Sequence, residues 1–123
     1  MPSVAVIGAS NDRAKYGNKA VRAFLQRGYT VYPVNPTEET VEGLPAFKSI
    51  LDLPVRPQKV TVYVNPSILA KLLPNIAAKG CDELWINPGA ESEEVLDLAG
   101  SLRLNVIQAC SIVDIGMSPH DLP

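Results

Sequence analysis

The chain has 123 residues, 46% of them hydrophobic and 20% charged, with a formal net charge of −2. That length suits one domain of ordinary size, residues 1–123, with apolar content enough for a full core. Slight acidity argues against a nucleic-acid partner, which calls for a basic patch, and no apolar run approaches the roughly 18 residues of a membrane span.

Ser3-Val4-Ala5-Val6-Ile7 reads as a strand buried on both faces. A polar loop follows, then a helix over 18–27 with Ala20, Val21, Phe24 and Leu25 on one side and Gly28 as its stop. Residues 29–34 form a second strand that ends at Asn35-Pro36. Residues 37–58 read as irregular, with one helical turn near 47–51. KVTVYV (59–64) is a third strand, and Asn65-Pro66-Ser67 starts a helix that runs through Ala78 to Gly80, with Pro74 as a kink position. ELWI (83–86) is a fourth strand stopped by Asn87-Pro88-Gly89, residues 91–102 a third helix, and NVIQA (105–109) a fifth strand.

Strand and helix alternate throughout, which predicts an α/β, doubly wound, Rossmann-like domain with a five-stranded parallel sheet and helices on both faces. The expected order is 3-2-1-4-5. In such sheets ligands bind beyond the carboxyl ends of the strands, beside strand one.

Those ends carry Gly8-Ala9-Ser10-Asn11, Asn35-Pro36-Thr37, Asn65-Pro66-Ser67, Asn87-Pro88-Gly89 and Cys110-Ser111. Asn-Pro is a common strand breaker, which accounts for each of the three taken alone. Gly8 allows close backbone approach to a ligand. Ser10 and the amides near Asn18 suit phosphate oxygens at a helix start, with Arg13 and Lys15 as added charge or as plain solvated loop residues. The full GxGxxG fingerprint is absent, since only Gly8 and Gly17 remain, nine positions apart. Asn35 stands where a dinucleotide domain places an acid for the ribose. Both features argue against an ordinary NAD loop.

Catalysis finds little support. His120, the only histidine, sits in the Pro-flanked SPHDLP tail, and no Ser-His-Asp set, paired carboxylates or metal spacing can be assembled. Cys81 and Cys110 are far apart, with no CxxC, so a reducing cytoplasm is the expected location. The chain enters a strand at once, and no signal peptide is expected. Trp85 reads as core, and Tyr16 either stacks on a base or covers the helix start.

VIGAS (6–10), KYGNKAV (15–21), GYTVYPVNP (28–36), EGLPAFKSILDLP (42–54), ELWINPGAESEE (83–94) and VIQAC (106–110) together resemble a small stand-alone CoA-binding protein. That family is related to the CoA-binding domain of succinyl-CoA synthetase alpha subunits and acyl-CoA synthetases. The resemblance implies CoA, or an acyl-CoA, across the carboxyl edge. Gly8, Ala9, Ser10 and Lys15-Tyr16-Gly17 would then form the phosphate loop, and Val34, Asn35 and Pro36 would flank adenosine. Asn65 and Pro66 would sit against the nucleotide, Ile86, Asn87, Pro88 and Gly89 would line the pantetheine path, and Cys110 would close the far side, within reach of the CoA thiol.

The synthetase alpha subunits carry a lysine soon after strand two, where this chain has Thr37, Glu38 and Glu39. Acids there repel a bound anion unless they face solvent, with Arg13, Lys15 or Lys19 as compensating cations. The synthetases also hold their phosphorylated histidine in a separate domain, so the expected role is a non-catalytic binding or regulatory module. Two alternatives stay open: an NAD(P)-binding redox sensor on the same fold, and a ligand-free interaction module, which Glu38 and Glu39 favour. The expected partner is a small nucleotide ligand, with neither nucleic acid nor membrane; a homodimer is admitted with no interface assigned.

Overall fold

The computed structural model describes residues 2–123. Five parallel strands make the central sheet: β1 (Ser3–Ile7), β2 (Thr30–Val34), β5 (Lys59–Val62), β6 (Glu83–Ile86) and β7 (Val106–Ile107). Two short strands, β3 (Thr40–Val41) and β4 (Leu44–Pro45), pair antiparallel as a separate hairpin. Helices α1 (Tyr16–Gln26) and α4 (Ser111–Asp114) cover one face, and α2 (Pro66–Lys79) and α3 (Glu93–Ser101) cover the other.

The period of two explains the layers. Val4 and Val6 of β1 point into the cluster built with Val21 and Phe24 of α1 and Ile112 of α4. Ala5 and Ile7 point into the cluster of Val60, Val62, Leu69, Leu73, Ile76 and Val95. Successive side chains of a strand face opposite ways, so a strand buried on both faces must be apolar throughout.

The sheet order is β2-β1-β5-β6-β7. Counting only the parallel strands, that is 2-1-3-4-5, which corrects the expected 3-2-1-4-5: the α/β class and the edge position of the fifth strand stand, but the third strand lies against the first. Lys59–Val62 pairs with Val4–Ile7 on one side and Glu83–Ile86 on the other. The reason is Pro33, which lies within β2 and has no N–H to offer a second neighbour. β2 is therefore the edge strand. Its outer side takes only a one-residue parallel bridge from Phe47, whose N–H donates to the carbonyl of Pro33 at 2.9 Å.

The helix ends follow local chemistry. The N–H of Gly28 donates to Leu25 at 3.1 Å and that of Tyr29 to Phe24 at 3.0 Å. This is a Schellman closure, with Gly28 at φ +80°. The rings of Phe24 and Tyr29 pack edge to face across it, 4.8 Å between centroids. Asn65 caps α2 through its side-chain oxygen, which accepts from Ile68 at 2.9 Å, and α2 continues through Pro74 on its exposed side. Ser92 caps α3 in the same way.

Several expected bounds shift. Helix α1 begins at Tyr16 rather than residue 18, α3 at Glu93 rather than 91, and the fifth strand shrinks to Val106–Ile107 because the chain turns away to start α4 at Ser111. The stretch read as irregular holds the β3–β4 hairpin, turned at Glu42 and Gly43, which both take positive φ (+50° and +77°). Its helical turn is a 3₁₀ segment at Ile50–Asp52. Among the described residues no helix is long and apolar enough to cross a membrane.

Candidate functional site

A cleft of about 410 Å³ opens at the carboxyl ends of β1 and β5, where the chain reverses its direction of travel across the sheet. Gly8, Lys15, Tyr16, Gly17, Asn65, Pro88 and Gly89 all border it. Gly8 is pinned there by its neighbours. Its N–H donates to Val34 at 3.2 Å, and Tyr63 donates to Ile7 beside it at 2.9 Å. Gly8 has φ +85°, and a Cβ on it would lie 2.6 Å from the carbonyl oxygen of Tyr63. A Cβ on Gly17 would collide with the carbonyl of Gly8. The two glycines therefore let α1 start directly against the end of β1. Lys15 is the N-cap, with no side chain bonded across the helix start and no acid in the first turn. The amide end of α1 thus faces the cleft beside a lysine, a combination that favours an anion.

A second cavity, about 310 Å³, continues from Gly8 and Val64 under the end of β2. Its walls are apolar: Ile7, Val34, Pro36, Ile50, and the Ile68, Leu72 and Ile76 stripe of α2. Lys48, Ser49 and Asn75 are its polar members. A third cavity, about 230 Å³, extends the other way past Tyr16, Tyr63 and Pro88 to Asn87, Cys110 and Pro119. Each of the two outer cavities shares lining residues with the central cleft, so the three form one trough: apolar at one end, bordered by the start of α1 in the middle, and with a free half-buried thiol at the other end.

The floor near the thiol end is a satisfied polar network. The side-chain amide of Asn87 donates to the hydroxyl of Thr61 at 2.7 Å and the carbonyl of Val62 at 2.9 Å, while its oxygen accepts from the N–H of Ser111 at 3.0 Å. Thr61 and Ser111 share a 2.7 Å hydroxyl contact, and Ser111 meets the Tyr63 phenol at 3.0 Å. Burial pushes the Tyr63 phenol up to about 12, against the opposing pull of its hydrogen bonds to Ser111 and Thr61. That phenol is neutral at ordinary pH.

Other residues singled out from the sequence shape the trough without bordering it. Ala9 is fully buried, and its carbonyl accepts from the side chain of Asn35 at 2.8 Å. The Asn35 oxygen accepts from the amides of Thr37 and Glu38. Ser10 accepts from the N–H of Asp12, and Asn11 holds the hairpin through the carbonyl of Thr40 and the carboxylate of Glu38. Arg13 pairs with Glu42 at 3.0 Å, and the buried Asn18 donates to the same carboxylate. Pro66 forms the first turn of α2, and Ile86 is core, edging a shallow hollow with Pro88 and Glu91. Glu38 and Glu39 border none of the three cavities. Tyr63, Lys48 and the α2 stripe were missed in the sequence. The stripe had a signal, Ile68, Leu72 and Ile76 at a spacing of four, with Ile68 left 44% exposed.

Comparison with known proteins identifies the family and its fold. Residues 2–116 match the model of the CoA binding domain family. The chain is 36% identical over 78 residues to the acetate–CoA ligase [ADP-forming] II subunit alpha of Pyrococcus furiosus, covering 63% of this chain and 17% of that protein. It is 27% identical over 117 residues to the 4-hydroxybutyrate–CoA ligase [ADP-forming] of Nitrosopumilus maritimus, again covering 17% of the relative, so the chain spans under a fifth of each. A conserved hypothetical protein from Pyrococcus furiosus superposes with a TM-score of 0.85 at 31% identity, over 93% of this chain and 99% of that one. A dinucleotide-forming acetyl-coenzyme A synthetase from Ca. Korarchaeum cryptofilum superposes with a TM-score of 0.77 at 26% identity, over 87% of this chain and 25% of that one. With nearly its whole length matched, this chain is a member of the CoA binding domain family, homologous to the corresponding domains of CoA ligases.

Proposed function

We propose that residues 1–123 form one CoA-binding domain, and that the protein binds CoA or an acyl-CoA along the trough as a carrier or regulatory module rather than as a catalyst. The observation that carries this reading is the contact of Gly17 with the Gly8 carbonyl, which aims the amide end of α1 and Lys15 at the middle of the trough. A diphosphate is the part of CoA that such a site suits. Adenosine occupies the apolar arm at Val34 and Pro36, in keeping with the rule that this fold holds the ribose at the end of strand two. Pantetheine runs past Asn65, Pro88 and Gly89 toward Cys110. The side chains at that end are hydrogen-bonded among themselves and the phenol is neutral, which suits holding a ligand better than moving protons. Free thiols at Cys81 and Cys110 suit a reducing cytoplasm.

The test is a thermal-shift titration with CoA, acetyl-CoA, NAD, NADP and ATP. A ligand at 100 times its dissociation constant adds about 2.7 kcal/mol of stability. A rise in melting temperature with CoA or acetyl-CoA but not NAD is expected. A rise with NAD alone supports the redox-sensor reading and overturns this one; no rise with any nucleotide overturns both.

A further inference from the structure

Among the described residues, Lys48 is the only cation that borders the apolar arm of the trough. Its place there comes from the backbone. Phe47 bridges to Val34 at the outer edge of β2, its N–H bonded to the carbonyl of Pro33 and its carbonyl to the N–H of Asn35, both at 2.9 Å. This clamp returns the chain, thirteen residues after Val34, to the carboxyl end of the same strand. Lys48 therefore lines the same cavity as Val34 and Pro36, whose walls are apolar apart from Lys48, Ser49 and Asn75. It is exposed and appears in none of the ion pairs among the described residues, whereas Arg13, Arg56 and Lys59 are each paired with an acid. The nearby acid is turned elsewhere: the Glu38 carboxylate accepts from Asn11, and neither Glu38 nor Glu39 borders this arm.

We infer that Lys48 is a specificity-determining residue that reads a phosphate on the ribose of the bound nucleotide, so that the site prefers a 3′-phosphorylated adenosine, as in CoA, over its dephosphorylated form. This assignment rests on the CoA reading above. The largely apolar slot takes the purine, and the ribose phosphate is then held near its exposed rim, on a cavity that Lys48 borders and no carboxylate does. A lysine acts there as a point charge without directional demands. The pair is solvent-facing, so its contribution is modest and shrinks with salt.

Titration calorimetry with CoA and dephospho-CoA, on wild type, Lys48→Met and Lys48→Arg, tests the assignment. Wild type is expected to bind CoA about three- to fivefold more tightly than dephospho-CoA at low salt, with the ratio falling as salt rises. Lys48→Met is expected to lose that preference while keeping its affinity for dephospho-CoA, and Lys48→Arg to retain most of it. If wild type binds CoA and Lys48→Met keeps the same preference, or loses affinity for both ligands equally, the assignment is overturned and the CoA reading stands. If wild type binds neither ligand, the CoA reading itself falls, and the assignment with it.

Discussion

The α-carbon of Gly17 rests against the backbone of Gly8 and Ala9, nine positions earlier in the chain at its closest point, with no space for a Cβ. Gly17→Ala must push α1 away from β1, and is expected to lower stability by about 1–3 kcal/mol, read as a fall in the urea midpoint. Gly100 offers the contrast. It lies in α3 with nothing near its missing Cβ, so Gly100→Ala is expected to stabilise by about 0.5–1 kcal/mol through helix propensity. Equal effects at the two sites would refute the close-contact account.

Three asparagines end strands on this edge, and they differ in burial. Asn87 is 3% exposed and bonds Thr61, Val62 and Ser111. Asn87→Ala leaves several buried partners unmatched and is expected to destabilise by at least about 2 kcal/mol. Asn65 is an exposed helix cap, so Asn65→Ala is expected to lose about 1 kcal/mol. Chemical denaturation of the two variants checks the ranking.

Alkali is expected to destabilise the fold in two steps. Burial raises the Cys81 thiol from 9.0 to about 11 and the Tyr63 phenol from 10.0 to about 12. Both groups hold their protons more tightly when folded. Stability is therefore complete below pH 9, and falls as the unfolded chain ionises, first through the Cys81 window up to about 11 and then through the Tyr63 window up to about 12. Melting temperatures of wild type, Cys81→Ala and Tyr63→Phe between pH 8 and 11 test this, with slopes flattened in the variants. An unchanged slope in Cys81→Ala would place the loss elsewhere.

Glu38 and Glu39 are expected to matter little for an anionic ligand, because both are exposed and Glu38 is held by Asn11. The double variant Glu38→Gln, Glu39→Gln is expected to change CoA affinity by less than about threefold at 0.15 M salt. A tenfold gain would show that these carboxylates face the ligand.

The sequence made the alternation of strand and helix legible because the core strands are apolar almost without a break and the first two helices carry their own stops, Gly28 and Gly80. The strand order was misread although Pro33 already marked β2 as an edge. The hairpin escaped because strands of two residues have no period to detect, and Glu42-Gly43 is an uncommon pair for two positive φ values. Lys48 escaped for a different reason. Residues 37–39, next to Asn35 in sequence, hold no cation, and the sequence points to Arg13, Lys15 or Lys19 for compensating charge, while the Phe47 bridge brings Lys48 in from farther along the chain. Proximity here is made by a tertiary hydrogen bond, which no local pattern encodes.

Because Asn35 and Asn65 each bind their own turn through the side chain, and Asn87 ties the end of β6 to β5 and to the start of α4, the rim of the trough is already shaped before anything enters it. A ligand has little backbone left to order. Its arrival is therefore expected as a single fast phase, with free and bound backbones alike, and with a heat-capacity change set by the apolar surface the ligand itself covers.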